Sequence, residues 1–227
     1  MMDDRLTGIL IDSFPKILIP GLIRTIPLTA ISFALAMVIA VIVALIQVAE
    51  VPVLKQIARF YIWIIRGTPL LVQLYIVFFG LPDLGFMIPA FPCAIAVFAI
   101  NEGAYCSETM RAAIESVPKG QMEAGYCAGM SYIQIMRRIV LPQAFRTAFP
   151  PLSNSLIGMV KDTSLAANIT VMEMFMATQR IVGRTYEALA LYCEVALIYL
   201  LFCTVLTKLQ SIGEKKLRTV NGGGANA

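Results

Sequence analysis

Several polar side chains that could bind a small charged molecule lie close to or inside apolar stretches of this chain. Glu102 and Asp162 each supply a carboxylate, and Lys161 supplies an ammonium group. A molecule that carries one charge of each sign could offer its anionic group to Lys161 and its cationic group to Asp162. Ionisable groups within a membrane face the protein interior or a cavity, where they pair with one another or with a ligand. We therefore expect a substrate path lined by Gln73, Asn101, Glu102, Lys161 and Asp162.

Each of these charged side chains could instead have a purely structural role, and the sequence does not decide between that role and substrate binding. Lys161 and Asp162 could be ordinary solvated charges at the outer interface, and Glu102 could face a protein partner instead of the path. Glu108 and Arg111 are three residues apart, so they can pair on one helix face. We expect that pair to be a structural salt bridge.

The stretch Arg66-Gly67-Thr68-Pro69 contains the two residue types that most readily interrupt a helix. Backbone that is not helical at membrane depth is tolerated only where it is buried in protein or lines a cavity. We therefore expect this bend to be part of a gate, with Gln73 lining the path at greater depth. A plain kink, with the arginine reaching to the interface, fits the same residues.

The sequence contains no recognisable catalytic arrangement. The chain has no histidine, no Walker A pattern G-x-x-x-x-G-K-[ST] and no recognisable pair of nucleophile and base. We therefore predict no catalytic residue, no metal site and no cofactor bound by this chain. The five cysteines form no C-x-x-C pair and lie mostly in apolar segments, so we interpret them as buried free thiols.

Composition indicates which elements must position these residues. Of the 227 residues, 59% are hydrophobic and 14% are charged, whereas a soluble domain is about 25% charged. An apolar helix of about 20 residues crosses a bilayer core of about 30 Å. We predict an all-α integral membrane protein, with residues 1–220 forming one domain of five transmembrane helices and residues 221–227 disordered. The spans are expected at about 20–48, 58–81, 88–112, 144–168 and 188–210, with the fourth broken by Pro150-Pro151.

A polar, basic segment, residues 118–142, separates the third and fourth spans. Pro118 can open a short helix there, and Gly129 can close it in the left-handed conformation. Ser131, followed by a glutamine three residues later, matches a capping box that starts a second helix, and Pro142 should limit that helix. The segment is thus predicted to be an elbow of two short helices. Its basic side chains include Arg137 and Arg138.

Basic residues are divided unevenly between the two ends of the predicted spans. Positively charged loops stay in the cytoplasm, so the face with more of them is expected to be cytoplasmic. With five spans, this places the N-terminus outside and the elbow and C-terminus inside. The face with more basic residues has Lys55, Arg59, Arg111, Lys119, Arg137, Arg138, Arg146, Lys208, Lys215, Lys216 and Arg218. The opposite face has Arg5, Lys16, Arg24, Arg180 and Arg184.

The elbow also resembles the signature of a known family. The pattern E-A-A-x3-G-x9-I-x-L-P resembles the EAA loop of permease subunits of ATP-binding-cassette (ABC) importers, and the one departure is Gly125, where the family usually has alanine. Residues 66–73 and 160–165 resemble two further signatures, those of the polar amino acid branch. At position 102, where this chain has Glu102, similar permeases tend to carry a small hydroxyl residue. The resemblance covers roughly residues 15–212. The polar amino acid branch includes glutamine and histidine permeases, and within it the chain most resembles cystine-type permeases. The matching elbow residues are Glu123, Ala124, Gly129, Ile139, Leu141 and Pro142.

The resemblance implies a type I ABC importer permease fold and a membrane-spanning subunit that takes up polar amino acids, cystine among the candidates, across the bacterial cytoplasmic membrane. It implies four partners: ATP-binding ABC subunits that hold ATP and magnesium, a second permease copy or a similar permease, an extracytoplasmic substrate-binding protein, and the amino acid itself. The elbow would then couple to the ATPase, although Glu123 could instead be a plain exposed helix charge. The coupling residues would be Glu123, Ala124, Gly129, Arg137, Leu141 and Pro142.

A subunit of an ion-coupled secondary transporter or channel is the main alternative. It predicts inverted repeats within one chain, and none is visible in this sequence. A membrane-embedded enzyme is a more distant alternative, since the polar residues lack a catalytic arrangement.

Overall fold

The computed structural model describes residues 2–49 and 51–219, and the regular structure in that part of the chain is all helical. The predicted all-α class is confirmed, whereas the predicted tail at 221–227 lies outside the described residues. Short π-helical turns at Gly21–Thr25, Ile76–Gly80 and Met136–Val140 and 3-10 turns at Leu81–Leu84 and Thr163–Ile169 join several of the α-helices. These are α1 (Met2–Pro20), α2 (Ile26–Val48), α3 (Pro52–Gly67), α4 (Leu70–Tyr75), α5 (Ala90–Glu115), α6 (Lys119–Cys127), α7 (Tyr132–Ile135), α8 (Leu141–Asp162), α9 (Met174–Thr185) and α10 (Ala188–Thr219).

Three helices in the described part of the chain are long and apolar enough to cross a membrane: Asp4–Val48, Ala90–Glu115 and Ala188–Leu217. A fourth span results if the bent pair Pro52–Gly67 and Leu70–Leu84 is counted as one, with 103° between its halves. The predicted count of five is therefore not confirmed. The segment expected as the fourth span corresponds to α8, whose prolines and polar and charged side chains lower its hydropathy.

Two predictions about prolines are wrong. Pro142 does not limit the second elbow helix, because the backbone stays helical from Tyr132 to Asp162. The π-helical turn before it carries the Leu141 N–H to the Met136 carbonyl, and this leaves Pro142 in the first turn of α8, where its missing N–H is tolerated. Pro150-Pro151 also leaves α8 unbroken.

Small residues let the central helices approach closely. Ala36, Ala40 and Ala44 recur every fourth residue on α2, and all three are buried where α2 packs along α5. On α5, a β-carbon at Gly103 would lie 2.8 Å from Cγ2 of Ile39, so a larger residue would force the helices apart. Without a hydrophobic driving force between helices in lipid, such close packing holds them together.

The cysteines are free thiols, as predicted, but they are not all buried. Cys93 and Cys106 lie in the core, whereas Cys127 and Cys193 are exposed. Cys127 is exposed because it lies at the end of the short elbow helix α6.

Candidate functional site

The local conformation of the elbow follows the sequence. Gly129 has φ +76° and ends the first elbow helix, with the Met130 N–H bonded to the Gly125 carbonyl. Both hydrogen bonds of the capping box are present: Ser131 N donates to Gln134 Oε1 at 2.9 Å, and Gln134 N donates to Ser131 Oγ at 3.4 Å. The predicted end of the first elbow helix at Gly129 and the predicted start of the second at Ser131 are therefore confirmed.

The elbow is anchored through one apolar cluster. Ile135, Met136 and Val140 are buried and pack with Ile114 and Val117 near the end of α5. The six residues predicted to couple to an ATPase are all exposed, although Leu141 also lines an apolar groove between α2, α5 and α8. They are Glu123, Ala124, Gly129, Arg137, Leu141 and Pro142.

Gly125, the one departure from the family pattern, has a steric reason. A β-carbon there would lie 2.7 Å from Cγ1 and 3.0 Å from Cδ1 of Ile135, so alanine would collide with the residue that anchors the elbow. The glycine and the large isoleucine are thus matched across the elbow.

Sequence analysis missed part of the exposed elbow surface. Tyr126, Tyr132 and Ile133 are 52%, 46% and 75% exposed, which leaves three large apolar side chains next to the acidic and basic ones. The available signal was that the two tyrosines and the isoleucine occur in a polar segment. Single exposed apolar residues are common, but three in a short polar segment are available for contact with another molecule.

The predicted interruption at Gly67 to Pro69 is present. The chain turns by 103° there, and Thr68 and Pro69 are extended. Gln73 holds the turn: its Nε2 donates to the Ile65 carbonyl at 2.8 Å, to the Thr68 carbonyl at 3.1 Å and to Thr68 Oγ1 at 2.8 Å. Gln73 therefore satisfies the backbone carbonyls of Ile65 and Thr68, and the Thr68 hydroxyl donates to the carbonyl of Ile64 at 2.9 Å.

Two predicted path residues meet directly. Asn101 is 7% exposed, and its Nδ2 donates a 2.9 Å hydrogen bond to Oε1 of Gln73. Nε2 and Oε1 of Gln73 are thus both engaged within the protein. This arrangement connects the break to α5.

Arg66 is held beside the break by two partners on α5. Its guanidinium lies 5.1 Å from the centre of the Tyr105 ring and 3.9 Å from Glu108 Oε2. Arg111 binds the same carboxylate at 2.9 Å and Glu115 at 2.6 Å. The predicted salt bridge between Glu108 and Arg111 is confirmed, and it belongs to a larger network.

Glu102 is only partly buried and lies within a small polar group. Its Oε1 accepts a 3.4 Å hydrogen bond from the Cys106 thiol, and its carboxylate also faces Ser155 on α8. Asp162 lies close enough to interact with it electrostatically. The structure therefore brings Glu102 and Asp162 into one region, and Ser155 is a polar neighbour that sequence analysis missed.

Lys161 faces a different surface from the Gln73 and Asn101 pair. It lines an open groove of about 760 Å³ between the end of α8 and α10, together with Ser164, Tyr192 and Tyr199. This groove offers hydroxyl groups, aromatic faces and one ammonium group to a bound molecule.

A buried carboxylate that was not predicted from the sequence connects the start of α9 to α10. Glu173 is fully buried and caps α9 by accepting hydrogen bonds from the backbone N–H groups of Phe175 at 2.8 Å and Met176 at 2.7 Å. The Tyr199 hydroxyl donates to it at 3.1 Å. Burial raises the pKa of Glu173, and the donors that face it oppose that rise.

Known proteins share this sequence and fold. Residues 36–219 match the family described as the binding-protein-dependent transport system inner membrane component. The L-cystine transport system permease protein TcyB of Bacillus subtilis (strain 168) is 46% identical over 206 residues, which cover 90% of this chain and 88% of that protein. The probable amino-acid ABC transporter permease protein YckA of the same organism is 40% identical over 210 residues, 92% of each chain.

Solved structures of ABC transporters also match the fold of this chain. An amino acid ABC transporter crystallised with histidines superimposes with a TM-score of 0.85 at 32% identity, over 91% of this chain and 96% of that one. An inward-facing MetNI methionine ABC transporter has the same fold, with a TM-score of 0.73 at 17% identity, over 88% and 96% of the two chains. The chain therefore belongs to the binding-protein-dependent inner membrane components, as a multi-pass, non-catalytic permease subunit of the polar amino acid ABC transporters.

Proposed function

We propose that this chain pairs with a second permease, either another copy or a similar chain, to enclose a path for polar amino acids, with cystine as the first candidate. The relative named as a cystine permease supports the substrate. The family's dependence on a binding protein supports delivery of substrate from outside and ATP hydrolysis on a separate subunit.

One observation carries the proposal: the elbow is capped, is anchored to α5, and exposes all six predicted coupling residues. A surface built in this way fits a cleft on an ATP-binding subunit. Glu123 and Arg137 would bind the ATPase, and Gly129 would fix the angle between the two elbow helices. Closure of the ATPase pair would then move the elbow and, through α5, switch the path from inward-facing to outward-facing.

The bias of basic residues supports the proposed orientation, in which the elbow and C-terminus are cytoplasmic and the N-terminus is outside. Lys161 and Asp162 would recognise the two charges of the substrate, and Glu102 would favour a cation. Gln73, Asn101 and the Arg66 to Pro69 turn would form the gate, since they connect the break to α5.

The substrate part of the proposal is tested by uptake of labelled cystine, glutamine and arginine into vesicles that contain the purified complex. Lys161→Met and Asp162→Asn should slow uptake while the complex still assembles, because each removes one of the two charges proposed to bind the substrate. Glu102→Thr should shift preference away from arginine. Unchanged rates and preferences in all three variants would assign these residues a structural role and leave selectivity to the binding protein.

A further inference from the structure

Aromatic and aliphatic side chains make up most of the open groove beside Lys161, whose volume is about 760 Å³. Lys161 is the one charged side chain that lines it within the described part of the chain. The groove therefore offers one anion-binding group next to a mostly apolar surface. Its other lining residues include Ser164, Phe175, Tyr192, Tyr199, Leu200 and Cys203.

Two of the three hydroxyl groups in the groove already donate within the protein. Ser164 Oγ donates to the carbonyl oxygen of Lys161 at 2.7 Å, and the Tyr199 hydroxyl donates to Glu173 Oε2 at 3.1 Å. A ligand carbonyl in the groove would therefore find few side-chain donors besides the Lys161 ammonium and the Tyr192 hydroxyl. A polar group that loses water without gaining a hydrogen bond is costly, so the groove disfavours an amide side chain and suits an apolar one.

Three rings in the groove suit a side chain that contains sulfur. The rings of Phe175 and Tyr192 stack with their centres 5.8 Å apart and 27° between their planes. Tyr199 adds a third ring, and these three side chains form the aromatic wall of the groove. A polarisable sulfur atom makes favourable contacts with aromatic rings at about 5 Å. A ligand with a carboxylate for Lys161 and a thioether or disulfide for the aromatic wall would match both parts of the groove.

One buried carboxylate holds the aromatic wall from behind. Glu173 is fully buried, and its Oε2 accepts hydrogen bonds from the Phe175 N–H at 2.8 Å and from the Tyr199 hydroxyl at 3.1 Å. Tyr192 is held indirectly, since it stacks on Phe175. Because Phe175 belongs to α9 and Tyr199 to α10, Glu173 fixes the spacing of these two helices across the groove.

We propose that Lys161 binds the substrate carboxylate, that the aromatic wall binds a sulfur-containing side chain, and that Glu173 is the positioning residue for that wall. The site rests on the proposed function, in which Lys161 binds substrate. It goes beyond that function by naming the side-chain class and the residues that select it. Amino acids with a thioether or a disulfide should bind better than those with an amide.

Equilibrium binding of labelled cystine to the complete transporter in lipid nanodiscs, without the binding protein, tests this proposal. Methionine and glutamine are the competitors, because their side chains have similar lengths and differ in carrying a thioether or an amide. In the wild type, methionine should displace cystine at a concentration at least about tenfold lower than glutamine does.

Three variants separate the aromatic wall from its support. Tyr192→Leu keeps the groove apolar but removes a ring, so it should weaken cystine binding about threefold or more. Tyr199→Phe keeps the ring but removes the donor to Glu173, and Glu173→Gln replaces one accepting oxygen with an amide nitrogen. Both should reduce the preference for methionine over glutamine. Because both changes break the same hydrogen bond, the double variant should lose no more affinity than Glu173→Gln alone.

The control variant is Tyr186→Phe, which removes the hydroxyl of a tyrosine that is 87% exposed and does not line the groove. It should bind cystine and discriminate between the competitors like wild type, and melting temperatures should show which variants are folded. If Glu173→Gln does not fold, Tyr199→Phe alone decides the role of Glu173.

The proposed function and this site can fail separately. Wild-type protein that binds cystine but does not prefer methionine to glutamine would overturn the site alone. Unchanged competition in folded Tyr192→Leu and Tyr199→Phe, or an equal loss in Tyr186→Phe, would do the same. Wild-type transporter that neither binds nor takes up cystine would overturn the proposed substrate, and the site with it.

Discussion

Asn101 donates a 2.9 Å hydrogen bond to Gln73, and the same glutamine binds three oxygens of Ile65 and Thr68 across the break between α3 and α4. One amide pair therefore connects the 103° turn between α3 and α4 to the long helix α5. Because α5 also contacts the elbow through Ile114 and Val117, a movement of the elbow has a continuous physical route to the break.

Gln73→Met should destabilise the protein, since it leaves the buried Asn101 amide and the half-buried Ile65 carbonyl without this partner. Each orphaned group costs about 1–3 kcal/mol, so the melting temperature of the purified protein should fall by several degrees. Gln56→Met, on the exposed side of α3, is the matched control and should melt like wild type. Equal melting temperatures for both variants would show that the Gln73 amide contributes nothing to the break.

Gly125→Ala should weaken the elbow, because its β-carbon would lie 2.7 Å from Ile135 Cγ1. Gly120→Ala adds the same methyl group on the same helix with nothing within 4 Å, so it should be neutral or slightly stabilising. Ile135→Ala removes the opposing atoms, and the double variant should lose less stability than the sum of the two single changes. Strict additivity in thermal unfolding would contradict the proposed steric match.

Much of the elbow was predictable because its signals are local. A left-handed glycine, a capping box and a proline at a helix start depend on neighbouring residues only, and Pro118, Gly129 and Ser131 act as expected. Pro142 does not end the second elbow helix as predicted. The π-helical turn before it leaves Pro142 in the first turn of α8, where a backbone N–H is not needed. The π-helical turn is stabilised by burial of Met136 and Val140 against α5, a tertiary contact that no local pattern contains.

The candidate path was less predictable for the same reason. Glu102 and Asp162 were predicted from their charge, and they do interact electrostatically, but Ser155 reaches Glu102 only through the packing of α8 on α5. Gln73 and Asn101 were selected as path residues, and their shared hydrogen bond depends on a 103° turn whose size the sequence does not specify. Glu173 was missed because a buried carboxylate at a helix start has no distinctive spacing.

Cys127 offers a direct test of the proposed orientation, since it is a native, exposed thiol on the elbow. An impermeant maleimide should leave it unlabelled in intact cells and label it in inside-out vesicles. Cys127→Ser identifies the signal that belongs to this residue. Labelling of Cys127 from outside intact cells would reverse the topology and exclude ATPase docking at the elbow.

Glu173 should make stability depend on pH. Its pKa is raised by burial, so the protonated form is favoured in the folded protein. Its contribution is therefore fully present below the pKa of the unfolded state and is lost as pH rises through the higher folded value. Between pH 4 and pH 8 the wild type should lose more stability than Glu173→Gln, and identical pH profiles of the melting temperature would contradict this.

Glu173→Ala separates the capping role from the charge. It removes the acceptor for the Phe175 and Met176 N–H groups, and losing a helix cap costs about 0.5–2 kcal/mol. The alanine variant should melt below the glutamine variant at every pH, since glutamine keeps one capping oxygen.

The central claim is that this permease couples amino acid uptake to ATP hydrolysis on a separate subunit through the elbow. Its most direct test is uptake of labelled cystine into vesicles that contain the complete transporter and its binding protein, with ionophores present to remove every ion gradient. Uptake should require ATP, should persist with ionophores, and should fall at least about tenfold in Glu123→Ala although that variant still inserts. Uptake that stops with ionophores, proceeds without ATP and is unchanged in Glu123→Ala would instead identify an ion-coupled transporter and contradict the claim.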